Sequence, residues 1–204
     1  MKIIMVFIIS YLLGSIPTGY VITNWIKGID VRKFGSGNVG ATNVTRVMGL
    51  KYGAFVALMD ILKGYISVLI AQNILQVTPN YIIFAAALLA IIGHDWSIFL
   101  KFSGGKGVAT TAGVILRLLP YGFLVFAIIW LSIVIFTRYV SLASISGIIS
   151  VPITTYYFYD SNYALFGLIV AIFIIYTHRE NIKRLLEGRE NRFGWPPKAK
   201  KGDK

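Results

Sequence analysis

The feature that most constrains this chain is a succession of long apolar segments separated by short polar loops. A crossing of the bilayer needs about 20 apolar residues, fewer where it ends in a protein-lined cavity. Seven segments qualify: Ile3–Trp25, Ala54–Leu75, Tyr81–Ile98, Val108–Leu119, Tyr121–Phe136, Val140–Tyr159 and Tyr163–Tyr176. In lipid the backbone must satisfy its own hydrogen bonds, so such segments fold as helices. The expected fold is all-α, a polytopic bundle of about seven transmembrane helices forming a single domain over residues 1–204. The Val108–Leu119 segment is the shortest, since 12 residues rise only about 18 Å. The first segment lacks a small-x-small cleavage site and is interrupted by Gly14-Ser15-Ile16-Pro17, so it reads as a retained span rather than a leader.

Composition agrees with a lipid environment. Apolar residues make up 56% of the 204 positions and charged residues 14%, against about 25% charged in a typical soluble domain. No cysteine is present, which excludes disulfides, thiolate nucleophiles and thiolate metal sites.

The formal net charge is +12. Its distribution assigns it to topology. With the N-terminus outside, the inner loops hold Lys27, Arg32, Lys33, Arg46, Lys51, Lys101, Lys106 and Arg138, and nine further cations follow from Arg179 to Lys204. The outer segments hold only Lys2 and Arg117. The expected arrangement is therefore N-terminus outside and C-terminus cytoplasmic, with residues 190–204 a basic cytoplasmic tail suited to anionic lipid heads. Nothing in this pattern calls for nucleic acid.

Three polar stretches fall on the inner side. The first runs from Arg32 to Arg46 and contains Ser36, Gly37, Asn38 and Asn43. Small residues expose consecutive backbone N–H groups, which form a concave anion nest, and Arg46 supplies a two-pronged clamp for phosphate. A plain turn between helices is the competing reading. The second, Gly104-Gly105-Lys106-Gly107, leads into the start of the fourth helix, where the dipole and free N–H groups favour an anion. It is not a nucleotide-hydrolysing loop, because Gly107 stands where Ser or Thr must follow the lysine. A topology-setting basic loop is the alternative. In the third, His178, Asn181 and Arg184 share one helix face, and Glu187 and Glu190 follow. An amphipathic helix on the inner leaflet would carry the same residues.

Within the spans, Asp60 and Lys63 lie one turn apart and read as a structural ion pair, since charges there are costly unless paired. Ser144 opens the sixth segment as a candidate ligand, although serines commonly pack helix interfaces. Neither histidine belongs to a cluster with metal-ligand spacing, so no metal and no cofactor are expected. Together the polar stretches describe a site beside lipid for one or two phosphate-bearing molecules.

At these residues the chain resembles the bacterial acyl-phosphate:glycerol-3-phosphate acyltransferases of the inner membrane. The resemblance rests on Gly14–Gly19, on Gly35–Asn43 with Arg46, on Asp60–Gly64, on Gly93-His94 with Phe102–Thr110, and on His178, Asn181, Arg184, Gly188 and Glu190. Val39 stands where the family often has proline. The resemblance implies transfer of a fatty acyl group from acyl phosphate to the sn-1 hydroxyl of glycerol 3-phosphate, giving lysophosphatidic acid and phosphate. It implies membrane lipid as surroundings and a soluble acyl-phosphate-producing enzyme as partner. It further implies that Gly104, Gly105, Lys106 and Gly107 cradle glycerol 3-phosphate, and that Ser36, Gly37, Asn38 and Arg46 hold the acyl-phosphate end. By the same route, His178 and Asn181 orient the nucleophile, Asn43 and Arg184 contact substrate, and Glu190 pairs a cation. The H-x-x-x-x-D dyad of acyl-CoA-dependent enzymes is missing: five residues after His94 stands Phe99, and five after His178 stands Lys183.

The main alternative is a membrane transporter of a phosphorylated anion, which would use the same inner cations. It would also need polar residues through the outer halves of the spans, and these are nearly all apolar. A non-enzymatic scaffold leaves the glycine-rich loops without a purpose.

Overall fold

The computed structural model describes residues 1–76 and 80–194; most of the expected basic tail, residues 195–204, lies outside them. Ten α-helices and no strand are found among the described residues: α1 (Lys2–Ser15), α2 (Thr18–Lys27), α3 (Ala41–Met48), α4 (Leu50–Leu75), α5 (Asn80–Asp95), α6 (Val108–Leu118), α7 (Pro120–Thr137), α8 (Val140–Phe158), α9 (Ser161–Thr177) and α10 (Arg179–Leu186). The chain is a multi-pass helical membrane protein. Four stretches are long and apolar enough to cross alone: α4, α5 with the turn that follows it to Leu100, α7 and α8. Two bent pairs raise the number to six: α1 with α2 at 40°, and α9 with α10 at 62°.

The expected count of about seven exceeds this by α6, which has 11 residues. The reason is Pro120. It has no N–H to continue α6 and instead occupies the first turn of α7, where a missing donor is harmless. The first expected span is broken in the same manner, at Ile16-Pro17.

The main helix pairs are α7 with α8, α4 with α6, α1 with α5, and α8 with α9. Between lipid-embedded helices close contact rests on small residues. Gly113 of α6 shows this: a Cβ there would stand 1.9 Å from the Ile61 carbonyl oxygen of α4. The main core gathers Val68, Ile91, Ile115, Phe126, Val151, Val170 and Ile174. Large apolar side chains such as Leu58, Ile128, Ile153 and Ile172 point outward and are exposed, as a lipid-facing surface requires.

One smaller cluster positions the site. Val44 and Met48 of α3 bury against Val31, Val39, Val56 and Leu100. This holds the loop before α3 down on α4 and sets the direction in which Arg46 projects.

Candidate active site

A cavity of about 800 Å³ opens where the first inner loop, Lys106, the start of α8 and the α9–α10 junction converge. Its polar wall includes Ser36, Arg46, Lys106, Ser141, His178, Asn181, Arg184 and Glu190. Its remaining walls are the largely apolar faces of α4, α6 and α7, with Asp60 of α4 and His94 of α5 also on the lining.

The first loop is built around Asn43, which is buried. The Ser36 N–H donates to Asn43 Oδ1 (2.8 Å), and Asn43 Nδ2 donates to the carbonyls of Val31 (3.2 Å), Phe34 (3.1 Å) and Asn38 (2.8 Å). Asn43, expected at the substrate, thus uses both ends of its amide to shape the loop. Asn38 Oδ1 accepts from the Gly40 N–H at 2.8 Å, while its Nδ2 donates to the Gly104 carbonyl at 3.3 Å. Asn38 thereby ties the first loop to the glycine loop. Ser36, Gly37 and Arg46 face the cavity. Burial holds the Arg46 guanidinium below its ordinary pKa, and Glu190 and Arg184 act on it at shorter range with opposite signs.

The glycine loop departs from expectation. Lys106 lines the cavity, whereas Gly104, Gly105 and Gly107 do not. They leave room behind the loop for the end of α5. A Cβ on Gly105 would stand 1.8 Å from His94 Nε2, and one on Gly104 would stand 2.2 Å from the His94 carbonyl oxygen. Gly107 has φ +72 at the N-cap of α6, a left-handed conformation that suits glycine. The loop is pinned further by the Gly105 N–H donating to the His94 carbonyl at 2.9 Å. The glycines therefore aim Lys106 from behind, and the group the loop presents to the cavity is the lysine side chain.

The Lys106 ammonium donates a short hydrogen bond to Asn181 Oδ1. Asn181 Nδ2 donates to Glu190 Oε1 (2.8 Å), Ser141 Oγ donates to the same oxygen (3.0 Å), and Arg184 Nε donates to Glu190 Oε2 (2.7 Å). Glu190 reaches this position because the segment after α10 folds back onto the α7–α8 turn. There the Phe193 N–H donates to the Arg138 carbonyl (2.6 Å) and Arg192 Nε donates to Tyr139 Oη (3.1 Å). Three cations, Arg46, Lys106 and Arg184, thus gather around the Glu190 carboxylate; Glu180 also lines the cavity, and Asp60, which lines it too, is paired with Lys63. Burial first, and then Arg184 and Arg46, push the Lys106 ammonium down to about 8.

His178 is buried at the end of α9. Its Nδ1–H donates to the Ile174 carbonyl at 2.8 Å; a carbonyl only accepts, so the proton sits on Nδ1. In the neutral ring this leaves the Nε2 lone pair free.

Behind the glycine loop lies a second polar group. The Lys63 ammonium lies 2.9 Å from Asp60 Oδ1, donates to the Ile16 carbonyl (3.0 Å) and donates to His94 Nδ1 (2.8 Å). All three of its protons are used. Thr18 Oγ1 also donates to Asp60 Oδ1, at 3.1 Å. The arrangement ties the α1–α2 break to α4 and α5, and through His94 to the glycine loop. Ser144 donates to the Val140 carbonyl (2.8 Å) and accepts from Trp130 Nε1 (3.2 Å), so its hydroxyl is engaged in helix packing. No group of three His, Asp or Glu side chains that could hold a metal is found among the described residues.

A family model described as Glycerol-3-phosphate acyltransferase matches residues 4–188. The chain belongs to this family. A glycerol-3-phosphate acyltransferase 2 of Moorella thermoacetica is 46% identical over 188 residues, covering 92% of this chain and 95% of the relative. A glycerol-3-phosphate acyltransferase of Aquifex aeolicus is 45% identical over 194 residues, covering 95% of this chain and all of the relative. Among solved structures, the fold is similar to that of PlsY (YgiH), an integral membrane glycerol 3-phosphate acyltransferase. Its glycerol 3-phosphate form gives a TM-score of 0.89 at 45% identity, over 95% of this chain and 96% of that one. Its lysophosphatidic acid form gives a TM-score of 0.87 at 44% identity.

Within this acyltransferase, two residues of the assembly stand outside the sequence reading of the site: Ser141, which holds Glu190, and His94, which joins Lys63 to the glycine loop. Ser141 precedes Ser144 by three residues and so shares its helix face, which was the available signal. For His94 the signal was its two neighbouring glycines: Gly93, whose missing side chain lets α5 pack on Tyr11 and Ser15 of α1, and Gly105, whose missing side chain makes room for the His94 ring.

Proposed function

We propose that this acyltransferase moves a fatty acyl group from acyl phosphate to the sn-1 hydroxyl of glycerol 3-phosphate, releasing lysophosphatidic acid and inorganic phosphate. The observation that carries the reading is the gathering of three cations, Arg46, Lys106 and Arg184, at the mouth of a largely apolar slot walled by α4, α6 and α7. One end suits a phosphate dianion, and the other suits an acyl chain. The donor is a mixed anhydride with a good leaving group, and the chain has no cysteine to form a thioester. The chemistry then rests on holding two anions together and stabilising the tetrahedral oxyanion.

In this reading Lys106 and Arg184 bind the phosphate of glycerol 3-phosphate. Arg46, with the Ser36–Asn38 loop, holds the acyl-phosphate end, and Asn181 aligns Lys106. The sn-1 oxygen attacks the acyl carbonyl carbon, the bond between that carbon and the oxygen bridging to phosphorus breaks, and phosphate leaves with the electron pair. The hydroxyl proton has two acceptors, the Nε2 lone pair of His178 and a substrate phosphate oxygen, whose second pKa is near 6.

The lysine and arginine asymmetry of the loops supports a bacterial inner-membrane protein with its N-terminus outside and the site cytoplasmic. That side is also where a soluble enzyme would deliver acyl phosphate. The chain acts as one membrane domain; Glu190 to Phe193 belong to the site rather than to a free tail, and the basic residues that follow are suited to anionic lipid heads.

The test uses purified protein in proteoliposomes with glycerol 3-phosphate and either palmitoyl phosphate or palmitoyl-CoA. Lysophosphatidic acid and phosphate released in equal amounts from the acyl phosphate alone is the expected result. No product from either donor, with the fold verified, overturns the reading and favours anion transport.

A further inference from the structure

The apolar part of the cavity has a definite far end. On α7 the lining residues are Phe123, Phe126, Ala127, Trp130, Leu131 and Val134, a single helix face at three- and four-residue spacing. From Val134 at the polar mouth to Phe123 is about 16 Å along the axis. The opposite wall, on α4, begins at Leu50 and stops at Ile61, and α6 contributes nothing beyond Ala112. Between these limits Ala54, Ala57, Ala109, Ala112 and Ala127 keep the slot open. α4 and α7 face each other across it, while α7 packs chiefly on α8.

The two phenylalanines at the end differ in freedom. Phe126 is 5% exposed and its ring is held by α8, where a Cβ on Gly147 would stand 2.9 Å from Phe126 Cδ2. Phe123 is only partly buried, at the edge of the core. Phe126 is therefore fixed by packing, and Phe123 is the side chain whose size sets how far the slot extends.

We infer that Phe123, with Ile61 and Ala112 opposite, is the floor that sets which acyl-chain lengths this enzyme prefers. This rests on the acyl-transfer reading above. A chain that matches the slot buries its terminal methylenes against the floor; a longer one must bend out between α4 and α7 into lipid. Removing the ring lengthens the slot, and adding bulk at Ala127, one turn nearer the mouth, shortens it by about 6 Å.

The test is competition among lauroyl, palmitoyl and stearoyl phosphate in proteoliposomes, with product lengths resolved by mass. Phe123→Ala is expected to raise the stearoyl-to-palmitoyl ratio of kcat/KM by about 10-fold, the low end of what one or two methylenes discriminate in an apolar pocket. Ala127→Phe is expected to shift the preference toward lauroyl by a similar factor. The two variants move the ratio in opposite directions, which general loosening of the bundle would not do. If Phe123→Ala fails to fold in detergent, Ala127→Phe carries the test alone. Wild-type ratios in every folded variant overturn the floor and mean that the chain leaves the slot sideways. No product from any acyl phosphate with the wild-type protein instead defeats the acyl-transfer reading itself.

Discussion

Lys106 and Glu190 are joined through one side chain: Asn181 accepts from the lysine ammonium and donates to the glutamate at 2.8 Å. Burial is the largest influence on the lysine, followed by Arg184, Glu190, Arg46 and Asp95, and its pKa falls to about 8. A lysine carries its charge below its pKa and loses it as pH rises. Its hold on a phosphate dianion is accordingly full below about pH 7 and fades through pH 8 and above.

The expected result is a KM for glycerol 3-phosphate that is flat toward neutral pH and climbs above pH 8. Asn181→Asp places a second carboxylate beside Lys106, favours its charged form and moves the rise to higher pH. Glu190→Gln removes a stabilising negative charge and moves it lower. Initial rates from pH 6 to 9.5 for the three proteins decide this. A break in the same place in all three would remove Lys106 as its origin.

Arg46 and Lys106 approach the cavity from different elements, α3 and the loop before α6, so their losses should be separable. Each alanine variant is expected to lower kcat/KM at least about 100-fold, the usual scale for one transition-state donor. Arg46→Lys restores little, because an ammonium lacks the fork that grips a phosphate bidentately. Steady-state kinetics in proteoliposomes, with KM for each substrate measured separately, also shows which phosphate each cation serves.

The polar group behind the glycine loop predicts a stability effect. Lys63 uses all three protons, on Asp60, His94 and the Ile16 carbonyl. Removing one partner of a buried ion pair costs about 3–5 kcal/mol because the other charge is left uncompensated. Lys63→Ala and Asp60→Ala should each lower the unfolding temperature in detergent. The double variant should lose less than the two single losses combined, since the partners are coupled. Strictly additive losses would show that the pair does not act as a unit.

The spans and the gathering of the polar loops at one end of the bundle are legible in the sequence because the solvent imposes a simple rule: twenty or so apolar residues make a helix. Where that rule fails, the cause is local, as at Pro120, which cuts α6 short. The cations of the site are legible too, since their type and grouping already imply an anion. Less visible is which small polar group serves structure. Asn43 looks like a ligand but is consumed by three carbonyls of its own loop, and the Ser144 hydroxyl by Val140 and Trp130. Gly104, Gly105 and Gly107 look like a phosphate cradle, but their hydrogens face His94, Asp95 and Ile91. Such assignments depend on which side of a loop packs against protein, and no local pattern encodes that. Glu190 is the extreme case, because it reaches Ser141 only when the segment after α10 folds back over a turn 49 positions earlier in the chain.

His178 allows the proton route to be separated experimentally. Its Nδ1–H is fixed on the Ile174 carbonyl, so only Nε2 can face a reacting hydroxyl. If Nε2 takes the proton, His178→Ala loses about 10²–10⁴ in kcat, the range of a positioned general base, and the acidic limb of the pH–rate profile disappears with it. His178→Gln retains a donor for Ile174 but no comparable base, and should be nearly as impaired, which distinguishes loss of a base from loss of packing. We expect this pattern. A His178→Gln enzyme within about tenfold of wild type, with its acidic limb intact near the second pKa of a phosphate ester at about 6, would move the base to the substrate and leave His178 as a positioning residue.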